Sequence, residues 1–117
     1  MQGEEMTARL SGISFPKVRT FRSERLRRAV TTLPCVCCGI EGRTQAAHTN
    51  TGKGGAIKAS DARIMALCAD GPGYVGCHSK VDANSDMTKA ERRAFEDEMV
   101  ARTYVALMER GLLEVAA

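Results

Sequence analysis

Two stretches of the chain carry apolar residues at helical spacing, and shorter stretches between them mix apolar and polar residues differently. Leu26, Ala29, Val30 and Leu33 recur at intervals of three and four, which predicts a helix capped by the Ser23 hydroxyl and running through Leu33. Pro34 closes it, because the residue before proline avoids helical geometry. Arg25, Arg27 and Arg28 flank the stripe and are expected to face outward. Towards the C-terminus Phe95, Met99, Thr103, Ala106 and Leu107 share one face of a second, amphipathic helix over about residues 88–110. Thr88 and Glu91 form a capping box at its start, and Gly111 is its stop signal. The Leu-Leu-Glu-Val that follows is expected to fold back on the core. Between the helices, Thr44 to His48 predicts a short strand, Ile57 to Leu67 reads as strand or irregular, and Cys77 to Ala83 predicts a short helix. Residues 1–22 read as a loosely ordered basic arm: Met1 to Leu10 has weak helical character, which Ser11-Gly12 and Pro16 break.

The 117 residues fit a single α+β domain over 23–117, with its core at about 34–83. Aromatic residues make up only 4%, with no Trp, so that core is aliphatic and thin. A small domain of this kind calls for a covalent or metal staple. The longest apolar runs are a few residues, which predicts no membrane-spanning helix. No basic-then-apolar leader opens the sequence, so the expected location is the cytoplasm.

Charge is unevenly placed. Residues 1–82 carry a net +5 and residues 83–117 a net −2. Lys17, Arg19, Arg22, Arg25, Arg27 and Arg28 form the densest cluster, interrupted only by Glu24. Such a block suits a phosphate backbone, where each contact releases counterions, and it equally describes a solvated helix face.

Cysteine spacing narrows the chemistry. In a reducing compartment five cysteines do not read as a disulfide framework. Cys35 and Cys38 have the two-residue gap that lets two thiolates face one ion, and Cys68 and Cys77 offer a second pair across a loop carrying Gly71, Gly73 and Gly76. Four such ligands make a structural zinc site, although the second gap is wider than usual. Cys37 is left over and reads as a small buried hydrophobe. The bland alternative makes all five cysteines core fillers. A redox reading of Cys35 and Cys38 lacks the strand–helix context it requires.

Both histidines fall inside this frame. His78 and Asp82 stand at helical spacing and project to one side, where they suit a divalent metal with open positions. His48 ends the predicted strand, where a histidine can take a proton from water or help hold the metal. Gly52-Lys53-Gly54-Gly55 with Lys58 lets backbone and charge approach a phosphate, or is a plain hairpin loop. Its spacing is not that of a nucleotide-binding P-loop.

Taken in order, the cysteine pair, the strand-ending histidine, the loop, Leu67-Cys68 and Cys77-His78 resemble the HNH, or ββα-metal, nucleases. Arg22 to Gly39, Ala47 to Asn50, Lys53 to Asp61 and Leu67 to His78 are similar to small phage-encoded nuclease-domain proteins, in the neighbourhood of the phage recombination-enhancement nuclease. The resemblance covers residues 22 to 82. It implies a zinc-stapled, treble-clef-like core with a structural zinc on Cys35, Cys38, Cys68 and Cys77. His48 would be the general base and Asp61 the residue orienting it. His78 and Asp82 would hold a catalytic Mg²⁺, Mn²⁺ or Zn²⁺. Arg19, Arg22, Arg25, Arg27, Arg28, Lys53, Lys58 and Lys80 would hold the DNA backbone. The implied setting is a bacterial host cell, with DNA as partner and a recombination or replication protein as a second one. Many members carry an acid or histidine directly before the base, where this chain has Ala47. A zinc-stabilised nucleic-acid-binding or recombination accessory protein without chemistry is therefore the alternative. A third reading, an adaptor binding a protein through the Phe95 and Met99 face, competes with simple burial of that face.

Overall fold

In a computed structural model the described residues are 20–49, 60–83 and 86–116. They form an α+β arrangement in the order α1 (Glu24–Thr31), β1 (Thr44–His48), β2 (Ile64–Cys68), α2 (Cys77–Ala83) and α3 (Lys89–Glu109). Most of the N-terminal arm, where weak helical character is expected, and the stretch containing Lys53 and Lys58 lie outside the described residues.

β1 and β2 pair antiparallel, with Thr44 opposite Cys68 and His48 opposite Ile64. Side chains alternate across such a ladder, so the small sheet has two working faces. One face carries Ala46, Ile64 and Ala66 and packs with Val30, Leu33 and Leu107 from α1, its end and α3. The other carries Ala47, Met65 and Leu67 and packs with Cys35, Cys77, Val81 and Met99. β2 is buried at all five positions, which is why its run reads as continuous apolar sequence rather than alternation.

The outer edge of β2 is not left open. The Ala66 N–H donates to the Thr103 hydroxyl at 3.0 Å, and the Ala66 carbonyl accepts from the Val36 N–H at 2.9 Å. Thr103 in turn donates to the Met99 carbonyl at 2.8 Å. A residue of helix propensity no better than average therefore sits mid-helix because its hydroxyl seals a sheet edge.

Local signals account for the element ends. The Ser23 hydroxyl caps α1 by accepting from the Leu26 N–H, and Thr88 and Glu91 form a reciprocal capping box on α3. Gly111, with φ +70°, ends α3 in the left-handed region that suits glycine. The helical face of α3 is Glu96, Met99, Thr103 and Leu107; Phe95 and Ala106 are half-buried, and Glu96 enters the core against its sequence expectation. After Gly111 only Leu113 packs back, while Leu112 and Val115 stay exposed.

Replacing Thr103 by Val should orphan the buried Ala66 N–H and cost about 1–3 kcal/mol, read by chemical denaturation; Thr103→Ser, which keeps the acceptor, should recover most of that loss.

Candidate metal centre and histidine sites

The knuckle after α1 makes the first half of a thiol cluster. Cys35 N–H donates to the Ile40 carbonyl at 2.9 Å, and Gly39 N–H donates to the Cys35 carbonyl at 2.8 Å. Gly39 has φ +84°, which turns the chain tightly enough for Cys38 to face back across it. Cys68 ends β2 and Cys77 opens α2. Gly76 allows that return: a Cβ there would lie 2.4 Å from the Cys68 carbonyl oxygen. All four sulfurs of Cys35, Cys38, Cys68 and Cys77 lie within 4.8 Å of one another, and the group could hold a metal ion such as zinc.

The geometry fits a metal better than a disulfide. Cys38 Sγ and Cys68 Sγ are 3.7 Å apart. Tetrahedral zinc with bonds of about 2.3 Å sets its sulfurs roughly 3.8 Å apart, whereas a disulfide needs about 2.0 Å. The donors around the sulfurs point the same way. Cys77 N–H donates to Cys68 Sγ at 3.2 Å. Burial pushes the Cys35 thiol up, but N–H groups of Cys38, Cys37 and Cys68 outweigh it and bring it down to about 7. Burial and the neighbouring thiols raise Cys77, so four sulfurs share a space that a cation would stabilise. The Tyr74 hydroxyl is buried without a hydrogen-bond partner among the described residues, and it lies against Cys68. The Cys68 sulfur, as a metal ligand, would supply the acceptor it lacks. Cys37 is exposed rather than buried. It lines an apolar cleft of about 350 Å³ with Cys77, Lys80, Val81, Met87 and Phe95, because the knuckle turn directs it away from the other thiols' centre.

The two histidines do not meet. His48 and Gln45 lie three apart on β1 and so point to opposite faces. On one face His48 Nε2 lies 2.7 Å from Asp61 Oδ1. Asp61 is fully buried and also accepts from the Ser23 N–H at 2.7 Å and from Arg27. Burial raises the Asp61 carboxyl, yet His48, the Ser23 N–H and Arg27 together hold it below the usual 3.8. On the other face His78 Nδ1 lies 2.8 Å from Gln45 Oε1, and its Nε2 lies 3.6 Å from Asp82. The four-cysteine cluster is the only group of three or more potential metal ligands among the described residues. His78 and Asp82 are paired as their spacing implied, apart from His48 and without a third ligand among the described residues.

The basic residues also separate. Arg27, expected to face outward, turns into the Asp61 pocket because a buried carboxylate must find a counter-charge. Arg28 is exposed and paired with Glu24 at 2.7 Å. Arg25 and Lys80 are exposed, and Arg22 lies 3.8 Å from Asp61 Oδ1. Arg19, Lys53 and Lys58 lie outside the described residues. Three contributors went unnoticed in the sequence: Gln45, Tyr74 and Arg43, whose guanidinium sits 5.4 Å over the Tyr74 ring. Strand alternation carried a weak signal for Gln45; nothing local marked the other two. Comparison of the chain with protein-family models, curated proteins and solved structures finds no match.

Two outcomes follow. Zinc-loaded protein should carry one ion per chain by atomic absorption, retained by Cys37→Ser and lost with much of the thermal stability in Cys68→Ser. Asp61→Asn should cost on the order of 3 kcal/mol at neutral pH. Because the folded Asp61 is held below 3.8, wild type's advantage is full above that value. It should shrink as pH falls through and below it, measured by denaturation across pH.

Proposed function

We propose that this chain is a metal-dependent endonuclease of the HNH type that hydrolyses DNA phosphodiester bonds. We further propose that it is phage- or prophage-encoded and serves recombination or DNA processing in a bacterial cytoplasm. One observation carries the reading: a buried carboxylate, Asp61, reaches across 13 residues of sequence to hold His48 at 2.7 Å. A base held by an orienting group is what proton abstraction from an attacking water requires. Asp61 is also the residue that the family resemblance put forward for orienting the base.

In this reading His48 uses the ring nitrogen turned away from Asp61 to accept the water proton as oxygen approaches phosphorus. His78 and Asp82 would hold the catalytic divalent ion, Mg²⁺, Mn²⁺ or Zn²⁺, which when bound supplies stabilisation of the developing phosphate charge. Cys35, Cys38, Cys68 and Cys77 hold a structural zinc that fixes β2 against the knuckle and α2. Arg22, Arg25, Arg28 and Lys80 contact the phosphate backbone, giving little sequence preference and strong dependence on salt.

A second reading has a specific observation behind it. His48 and the His78–Asp82 pair lie on opposite faces of β1, and Ser23, Arg27 and His48 together satisfy Asp61 as a structural latch would. That favours a zinc-stabilised nucleic-acid-binding accessory protein, to which a recombination or replication protein would be the partner.

The deciding experiment is cleavage of supercoiled plasmid and single-stranded DNA with Mg²⁺, Mn²⁺ or EDTA. The nuclease reading expects metal-dependent nicking that His48→Ala lowers by roughly 10²- to 10⁴-fold with folding and DNA affinity kept. No cleavage by folded, zinc-loaded wild type in any of these metals would hand the case to the accessory reading.

A further inference from the structure

The groups facing Asp61 come from four places in the fold. Ser23 N–H and Arg27 both reach Oδ2. His48 Nε2 reaches Oδ1 at 2.7 Å, and the Arg22 guanidinium stands 3.8 Å from the same oxygen. Tyr104 on α3 donates its hydroxyl to the Ala62 carbonyl at 2.6 Å, and burial together with the Asp61 charge raises its phenol. An ionised carboxylate can only accept hydrogen bonds. The hydrogen in the His48–Asp61 contact therefore belongs to Nε2, and in a neutral ring that leaves Nδ1 as the acceptor.

What keeps the carboxylate in that orientation is a residue whose charge looked, in sequence, like part of a phosphate-binding row. Arg27 is about one-third exposed, whereas Arg28 next to it is more than three-quarters exposed. Its guanidinium and the Ser23 amide occupy Oδ2, so that Oδ1 is turned to His48. We propose that Arg27 is a positioning residue: through Asp61 it fixes His48 in the Nε2–H tautomer and presents Nδ1 as the proton acceptor, rather than contacting nucleic acid. The use made of Nδ1 rests on the nuclease reading; the tautomer and its control by Arg27 do not. The arrangement also makes the ring's state depend on the seating of α1, since Ser23 and Arg27 both belong to that helix's first turn and cap. A lysine in place of Arg27 brings a point charge instead of a planar fork, so it should restore the contact only in part.

The test is long-range ¹H–¹⁵N correlation on histidine-labelled, zinc-loaded full-length protein at neutral pH. Wild type should show His48 with Nε2 protonated and Nδ1 bare. Arg27→Gln should move the ring nitrogens towards mixed tautomers, Arg27→Lys should recover part of the wild-type pattern, and Arg93→Gln on α3 should change nothing. In the cleavage assay Arg27→Gln should lower the rate on the order of tenfold while DNA affinity changes less than about threefold. Where Arg27→Gln is too unstable, Arg27→Met keeps the buried stem and carries the same test. A wild-type Nδ1–H ring overturns the proposal. So does an unchanged ring in a folded Arg27 variant whose DNA affinity falls in step with Arg25→Gln, since that is the behaviour of a phosphate contact. Wild type that shows the expected ring but cleaves no DNA ends the nuclease reading and leaves the tautomer assignment standing.

Discussion

The convergence of four cysteine sulfurs within 4.8 Å is the constraint on which the rest of this structure depends. Two strands of five residues do not make a stable sheet by themselves, and few aromatic side chains are available to enlarge the core. The cluster ties the knuckle after α1, the end of β2 and the first residue of α2 to one point. Each of those segments carries an element of the fold. The knuckle also gives Val36 to the edge of β2, and α2 brings Val81 into the core cluster and His78 to Gln45 on β1. Four thiols so close are held together at a cost that a bound cation turns into a gain.

The second organising interaction is of the opposite kind, a single carboxylate taken wholly out of water. Asp61 would be expensive to bury alone. It is tolerable because an amide, a guanidinium and an imidazole meet it, and those three come from α1 and the end of β1. The same contacts fix where α1 sits against the sheet. Structure and candidate chemistry are therefore coupled at this residue: the group that seats the helix also orients His48. Reading His48 as base and reading it as latch begin from the same hydrogen bond, and the two diverge only in what the free ring nitrogen does.

The molecule's two histidine sites follow from strand parity. An odd separation on β1 sends His48 towards α1 and Gln45 towards α2, and His78 joins Gln45 rather than His48. Nothing in the order of residues forbids a single site containing both histidines; the pleat of one strand separates them. The basic cluster behaves similarly. Arg27 and Arg28 are neighbours of identical type, yet one closes a buried pocket and the other pairs with Glu24 in solvent, because successive helical positions point about 100° apart.

By itself the sequence determined everything that rests on local signals. The Ser23 cap, the capping box at Thr88, the strand from Thr44 to His48, the turn at Gly39 and the stop at Gly111 are each written in a few adjacent residues, and each element lies where those residues imply. Spacing also marked the four thiols, and the family resemblance pointed to the region of Asp61 for a residue that orients His48. Tertiary structure alone decided which arginine faces inward, that Cys37 is exposed rather than buried, that Glu96 is buried, that Leu112 and Val115 stay in water, and that the two histidines occupy opposite faces. Those outcomes turn on which distant surfaces come to lie against each side chain. Periodicity reports which residues share a face, and only packing reports what that face meets.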